Sequence, residues 1–149
     1  MKLAIALFQP DIPGNTGAVL RLGACLNIPV HIIAPTGFEL SSSSLKRAGM
    51  DYISRSQLIQ HEDWQNFLHF SHKENKRLLL FSTSATQNYY NFSYQDDDIL
   101  LFGRESCGAP SYVHAAAHQQ LYIPMVKGAR SLNLAMSVAM SVAIALAPV

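Results

Sequence analysis

Residues 3–8 read Leu3-Ala4-Ile5-Ala6-Leu7-Phe8, and after Gln9-Pro10-Asp11 the chain continues Ile12-Pro13-Gly14-Asn15-Thr16-Gly17-Ala18-Val19-Leu20-Arg21-Leu22-Gly23-Ala24-Cys25-Leu26. Asn27-Ile28-Pro29 follows, and then a second apolar run, Val30-His31-Ile32-Ile33-Ala34. Both outer runs are apolar on consecutive positions instead of alternating, the pattern of strands covered on both faces. Between them Val19, Leu22, Gly23 and Leu26 fall at i, i+3, i+4 and i+7. That stripe predicts a helix capped by Asn15 and ended by Asn27-Ile28-Pro29. Strand, helix and strand in so short a span predict a parallel sheet with helices on its faces.

The same alternation continues outward. Strand-length apolar runs recur at 78–81, 99–102 and 121–123. Helices are expected over 61–70, where Trp64, Phe67 and Leu68 share a face, from near Pro110, a residue suited to a first helical turn, and over 131–146. Polar loops interrupt the pattern at 41–44 and 82–98, and the second is long enough to expect a functional loop. With no internal repeat and no linker, residues 1–149 are read as one α/β domain.

Composition narrows the function classes. Apolar residues make up 49% of the chain, which excludes an intrinsically disordered protein. Charged residues make up only 14%, against about 25% in an ordinary soluble domain, so either Ser, Asn, Gln and His dominate the surface or a partner covers part of it. We read an oligomer. The net charge of +1 exerts no global pull on a polyanion, and a nucleic-acid site must come from local grouping of Lys and Arg. Cys25 and Cys107 form no disulfide framework, which fits a reducing compartment. The apolar start stops at Phe8 with no small-residue cleavage site, and 132–146 falls short of the roughly 20 residues of a membrane span and is interrupted by Asn133, Ser137 and Ser141. A soluble, cytoplasmic protein without a membrane partner is expected.

Three stretches set glycines or polar residues between a strand and a helix. In the first, 13–21, the glycines come too long after the strand for a G-x-G-x-x-G turn, which argues against a nicotinamide or flavin enzyme. Arg21 lies about 200° from Val19 on a helical wheel, opposite the apolar stripe and open either to solvent or to a substrate. The second, Leu101-Phe102-Gly103-Arg104-Glu105-Ser106-Cys107-Gly108-Ala109-Pro110, empties a buried strand into a loop where bare glycines let backbone groups approach a ligand. An ordinary strand-to-helix turn would read the same. In the third, 122–134, Ser131 is a good N-cap, and Asn133, just inside the helix, needs a partner or a site.

No metal is expected, because Glu62 and Asp63 adjoin a helix start and His61, His69 and His72 fall on polar positions that read as solvated. No G-x-S-x-G is present, neither cysteine has a nucleophile context, and Asp96-Asp97-Asp98 reads as a solvated turn.

Taken jointly, Asn15-Thr16-Gly17 with Arg21, then Phe102-Gly103-x-Glu105-x-x-Gly108, then Ile123-Pro124-Met125 followed by Arg130-Ser131-Leu132-Asn133-Leu134 resemble the three motifs of the SPOUT superfamily of RNA 2′-O-ribose methyltransferases. Order, spacing and flanking strands agree from Leu3 to about Ala145. The short length, with Arg47-Ala48-Gly49-Met50-Asp51-Tyr52 and Ser93-Tyr94-Gln95-Asp96, resembles the minimal bacterial branch that methylates the cytidine or uridine ribose at position 34 of tRNA. Two departures stand out: Cys107 replaces a basic or polar residue of related sequences, and Gly14 replaces a common proline.

The resemblance implies a C-terminal deep trefoil knot, a homodimer, and S-adenosyl-L-methionine as cofactor, released as S-adenosyl-L-homocysteine. It implies a cofactor pocket lined by Phe81, Ser82, Thr83, Gly103, Gly108, Ile123, Met125, Ser131 and Leu132. Arg21 and Asn133 would face the target ribose, with Asn15 and Glu105 ordering the loops. The chemistry requires a 2′-hydroxyl aimed in line at the sulfonium methyl and relieved of its proton. A guanidinium stays protonated to above about pH 12, so Arg21 is a base only if strongly perturbed and otherwise holds a phosphate or stabilises the developing alkoxide. Lys46, Arg47, Arg104, Lys127 and Arg130, with Arg55, would contact tRNA. A methyltransferase of this fold acting on another tRNA position or on ribosomal RNA, and a non-catalytic RNA-binding relative, are the competing readings.

Overall fold

A computed structural model of the chain describes residues 1–40, 43 and 57–148. Among them the order is β1 (Leu3–Phe8), α1 (Pro13–Leu26), β2 (Val30–Ile33), β3 (Leu58–His61), α2 (Trp64–Lys73), β4 (Arg77–Phe81), β5 (Gln87–Asn88), a 3-10 turn (Tyr89–Asn91), β6 (Asp98–Phe102), α3 (Ser111–Ala116), β7 (Gln119–Tyr122) and α4 (Leu134–Leu146). The strands form one sheet in the order β3-β2-β1-β6-β4-β7-β5, with every pairing parallel.

Consecutive apolar residues serve two cores. Ile5 and Leu7 of β1, Leu79 of β4 and Leu100 and Phe102 of β6 face Val19, Leu20, Val138 and Val142 of α1 and α4. Ala6 and Phe8, Leu78 and Leu80, and Ile99 and Leu101 point the other way, toward Trp64, Phe67 and Val113 of α2 and α3. Successive side chains of a strand point to opposite faces, so a sheet buried on both sides leaves no polar register. The unbroken runs predicted this arrangement, and it is what the structure has.

Element boundaries differ in instructive ways. The first helix begins at Pro13, not at an Asn15 cap; Ile12 is its N-cap and makes no side-chain cap bond. Proline's fixed φ pre-organises the first turn two residues earlier and leaves the Asn15 side chain for other work. Asn27, in the left-handed region at φ 55°, donates its N–H to Gly23 O and ends α1 where expected. The helix expected over 61–70 is Trp64–Lys73, capped by Asp63, whose Oδ1 accepts from Asn66 N at 2.8 Å. The last helix begins at Leu134 instead of Ser131. Asn133 is its N-cap, not an interior residue, and accepts from Met136 N at 3.3 Å.

Two residues read as solvated are buried. His61 closes the unpredicted edge strand β3, stacks on His31 at 5.1 Å between centroids and shares a hydrogen bond with it, Nδ1 of His31 to Nε2 of His61 at 2.8 Å. Four residues with only partial burial give too short a pattern to mark that strand in sequence. His69 and His72 are exposed, as expected. Asp98, read as part of a solvated turn, is 1% exposed and binds Arg77 through two hydrogen bonds of 2.7 Å, because the strand starts one residue earlier than its apolar run. No helix among the described residues is long and apolar enough to cross a membrane.

Candidate active site

The carboxyl ends of β4, β6 and β7 open into one cleft of about 670 Å³. In parallel sheets this edge is where ligands bind, because the loops that leave the strands there converge. All three stretches singled out in the sequence reach it. The second stretch contributes Gly103, Glu105 and Gly108 and the third Ile123, Met125, Ser131 and Leu132, while the loop after β4 adds Phe81, Ser82 and Thr83. Asn15, at the start of α1, and Asn133, at the start of α4, also line it, with Arg104 and Arg130 at its border.

Each loop is shaped by local chemistry. Gly103 follows β6 where the loop folds back on itself: a Cβ there would lie 2.5 Å from the backbone of Gly108 and of Ala109. Arg104 and Gly108 close the loop with a pair of backbone hydrogen bonds of 3.0 and 2.8 Å, and Gly108 takes φ +70°, a conformation side chains resist. Phe81 and Phe102 stack at 4.9 Å at the strand ends and form an apolar wall. Ser82 N donates to Leu121 O at 2.9 Å, which ties the loop after β4 to β7. Asn133 Nδ2 donates to Asn15 Oδ1 at 2.9 Å, joining the two helix starts across the cleft.

The polar contacts of the second loop centre on Asp11, in the turn between β1 and α1. Glu105 Oε2 accepts from Asp11 N at 2.6 Å, while its Oε1 is buried and has no partner among the described residues. Asp11 in turn pairs with the Arg104 guanidinium and accepts from Ser106 N and Oγ at 3.1 and 2.6 Å. Hydrogen bonds from Arg104 and Ser106 hold the Asp11 carboxyl below the usual carboxylate range. Arg104, expected on the RNA face, therefore has a carboxylate partner within the chain.

Arg21 is exposed on α1 and is not among the residues lining this cleft, and neither is Lys127. Lys46, Arg47 and Arg55 lie outside the described residues. Sequence reasoning missed Ile12, His114, Leu134 and Ser137, which also line the cleft. Ser137 sits one helical turn after Asn133 and Leu134, so a wheel started at the true N-cap places it on the cleft side. His114, bonded through Nδ1 to Gln120 Oε1 at 2.9 Å, carried no such signal. Among the described residues no group of three or more His, Cys, Asp or Glu is arranged to hold a metal.

Comparison with known proteins agrees with this geometry over nearly the whole chain. The model of the SpoU rRNA Methylase family matches residues 2–143. A tRNA (cytidine(34)-2′-O)-methyltransferase of Beijerinckia indica subsp. indica is 46% identical, with 91% of this chain and 85% of the relative covered. The protein of that name from Escherichia coli strain K12 is 39% identical, with 94% and 89% covered. A structure solved for the 2-OH methylation of C/U34 on tRNA superposes with a TM-score of 0.91 at 41% identity, covering 97% of this chain and 93% of that one. AviRb of Streptomyces viridochromogenes, a SpoU methyltransferase solved in complex with the cofactor AdoMet, shares the fold at a TM-score of 0.89 and 17% identity, with 97% and 59% covered. The sheet order, the three convergent loops and a family match spanning all of them lead to one conclusion: the chain belongs to the SpoU methylase family.

Proposed function

We propose that this protein transfers a methyl group from S-adenosyl-L-methionine to the ribose 2′-hydroxyl of nucleotide 34, cytidine or modified uridine, in tRNA. The observation that carries the reading is the convergence of all three motif stretches on one cleft, in a chain that is 46% identical over 136 residues to a tRNA (cytidine(34)-2′-O)-methyltransferase.

The cleft suits the cofactor. Its volume lies within the roughly 300–1,000 Å³ that small-molecule sites occupy. Apolar walls from Phe81, Ile123 and Leu132 fit an adenine, and the hydroxyls of Ser82, Thr83 and Ser131 fit a ribose and an amino-acid tail. The bare backbone at Gly103 allows approach to peptide groups that a Cβ would close off. Glu105 stands in the lining with its Oε1 buried and unmatched among the described residues, and an unmatched buried acceptor is costly. When bound there, the cofactor supplies an electrophilic methyl on a sulfonium.

The chain's own residues orient the 2′-hydroxyl, whose proton passes to water as the oxygen is methylated. Asn133, locked to Asn15, holds the ribose, and Arg21 supplies a guanidinium to a phosphate or to the developing alkoxide. Because Arg21 stands outside the lining of its own chain's cleft, this role requires a homodimer in which the α1 of one copy reaches the cleft of the other. The exposed stripe of α4, Met136 at 64% and Met140 at 39% with Ala139 and Ala143 between and beyond them, is an apolar face suited to that contact. A C-terminal knot belongs to the same reading. The chain leaves the sheet at β7, beside the edge strand β5, yet α4 returns to pack on α1 and β6. We place the activity in the cytoplasm as a single-domain enzyme, with Lys127, Arg130 and the Lys46–Arg47 pair as phosphate contacts.

The test is methyl transfer by the purified protein to unmodified tRNA and to ribosomal RNA, with 2′-O-methyl groups mapped by mass spectrometry. Methylation confined to tRNA nucleotide 34 is expected. Methyl groups only at other tRNA positions or in ribosomal RNA, or no turnover at all, would replace this reading with one of the two competing ones.

A further inference from the structure

Asp11 is absent from the three motif stretches and does not line the cleft, yet its polar contacts converge on one loop that does. Its carboxylate takes the Arg104 guanidinium on Oδ1 and the Ser106 N–H and hydroxyl on Oδ2, at 3.1 and 2.6 Å for the last two. Its own N–H donates to Glu105 Oε2 at 2.6 Å. Three consecutive residues of the 103–109 loop are thus tied to a single residue of the β1–α1 turn. Asp11 is itself held from behind: Gly37 N donates to Pro10 O at 2.9 Å, and a Cβ on Gly37 would stand 3.1 Å from the Asp11 Cα and carbonyl oxygen. The residue has little freedom to follow the loop, so the loop must follow it.

We propose that Asp11 is a positioning residue that sets the shape of the 103–109 loop, and through it the placement of Glu105 in the cleft lining, without touching the bound nucleoside. This rests on the methyltransferase reading for its consequence and on the hydrogen bonds alone for its geometry. Charge-assisted bonds of this kind contribute more than neutral ones, and the bidentate set fixes direction as well as distance. Losing them frees Arg104 and Ser106 together, and Glu105 keeps only the bond from the Asp11 backbone.

Asp11→Ala and Asp11→Glu, made in the full chain, test this at two levels. Exchange of the Ser106 amide proton, read by NMR without any substrate, should quicken by about tenfold or more in Asp11→Ala and return toward wild type in Asp11→Glu. Affinity for S-adenosyl-L-homocysteine, read by calorimetry, should fall by about tenfold in Asp11→Ala, and its loss should be non-additive with that of Glu105→Gln. A residue that merely stabilises the fold would lower the melting temperature and give additive losses. Unchanged Ser106 exchange, affinity within about twofold of wild type, or strict additivity with Glu105→Gln each overturns the proposal. If wild-type protein fails to bind S-adenosyl-L-homocysteine, the methyltransferase reading fails and the exchange measurement still decides whether Asp11 shapes the loop.

Discussion

Asn133 uses both ends of one side chain: Oδ1 caps α4 by accepting from Met136 N, and Nδ2 donates to Asn15. These two roles separate by substitution. Asn133→Ser keeps a capping oxygen but is too short to reach Asn15, so its melting temperature should stay near wild type while methyl transfer falls by about tenfold or more. Asn133→Ala should lose the transfer and in addition about 1 kcal/mol of stability, read by urea denaturation. A Ser variant with full turnover would show that the Asn15 contact is structural only. Gly103 makes a second residue-scale case. Gly103→Ala puts a methyl 2.5 Å from the Gly108 and Ala109 backbone, the loop must open, and affinity for S-adenosyl-L-homocysteine should fall by about tenfold in calorimetry. Gly14→Ala is the control, because nothing stands within 4 Å of a Cβ there. That Gly103 and Asn133 stand at the cleft was legible in the sequence, because both fall in stretches that join a strand to a helix. The part played by Asp11 was not legible, since its partners lie 93 to 95 positions away.

Between elements, the β2–β3 pairing buries His31 against His61, with Phe67 and Phe70 around both rings. Burial, then the neighbouring His61 and Lys76, push His31 down to about 4 from its ordinary 6.5, and burial also lowers His61. Both rings are therefore favoured neutral in the folded state. As pH falls below 6.5 the unfolded chain takes up protons that the folded chain refuses, so stability present above 6.5 is lost progressively down to about pH 4, where folded His31 protonates too. The shift on His31 corresponds to a loss of about 3 kcal/mol at most. Urea unfolding at several pH values between 7 and 4 should show this slope, and the His31→Leu, His61→Leu double variant, which removes both partners of the hydrogen bond, should flatten it. An unchanged slope in the double variant would assign the acid sensitivity to the carboxylates instead. The helix starts teach a related lesson. Local propensity allowed caps at Asn15 and Ser131, but the chain used Ile12 with Pro13, and Asn133, because the asparagine side chains are bonded across the cleft.

For the whole molecule, the proposed homodimer makes a prediction that no single chain can mimic. If Arg21 of one copy serves the cleft of the other, a mixed dimer of Arg21→Ala and Asn133→Ala chains holds one intact site of its two, and co-expressed variants should recover about a quarter of wild-type methyl transfer. Each variant alone should be inactive. No recovery in the mixture, with dimers confirmed by sedimentation, would place Arg21 and Asn133 in the same chain's site. Sequence by itself determined the layered class of the fold, since runs such as Leu3–Phe8 must be covered on both faces and only a helix-flanked parallel sheet does that. It also determined the order of the three loops and the residue types they carry. Tertiary structure alone decided the rest: that β6 sits between β1 and β4, that β7 sits between β4 and β5, and hence that loops far apart in the chain open into one cleft whose lining does not include Arg21. Periodicity reports which face of an element is buried, a property of neighbours along the chain. Strand order and the partners of Asp11, His61 and Asp98 are set by contacts between distant segments, and a local pattern carries no record of those.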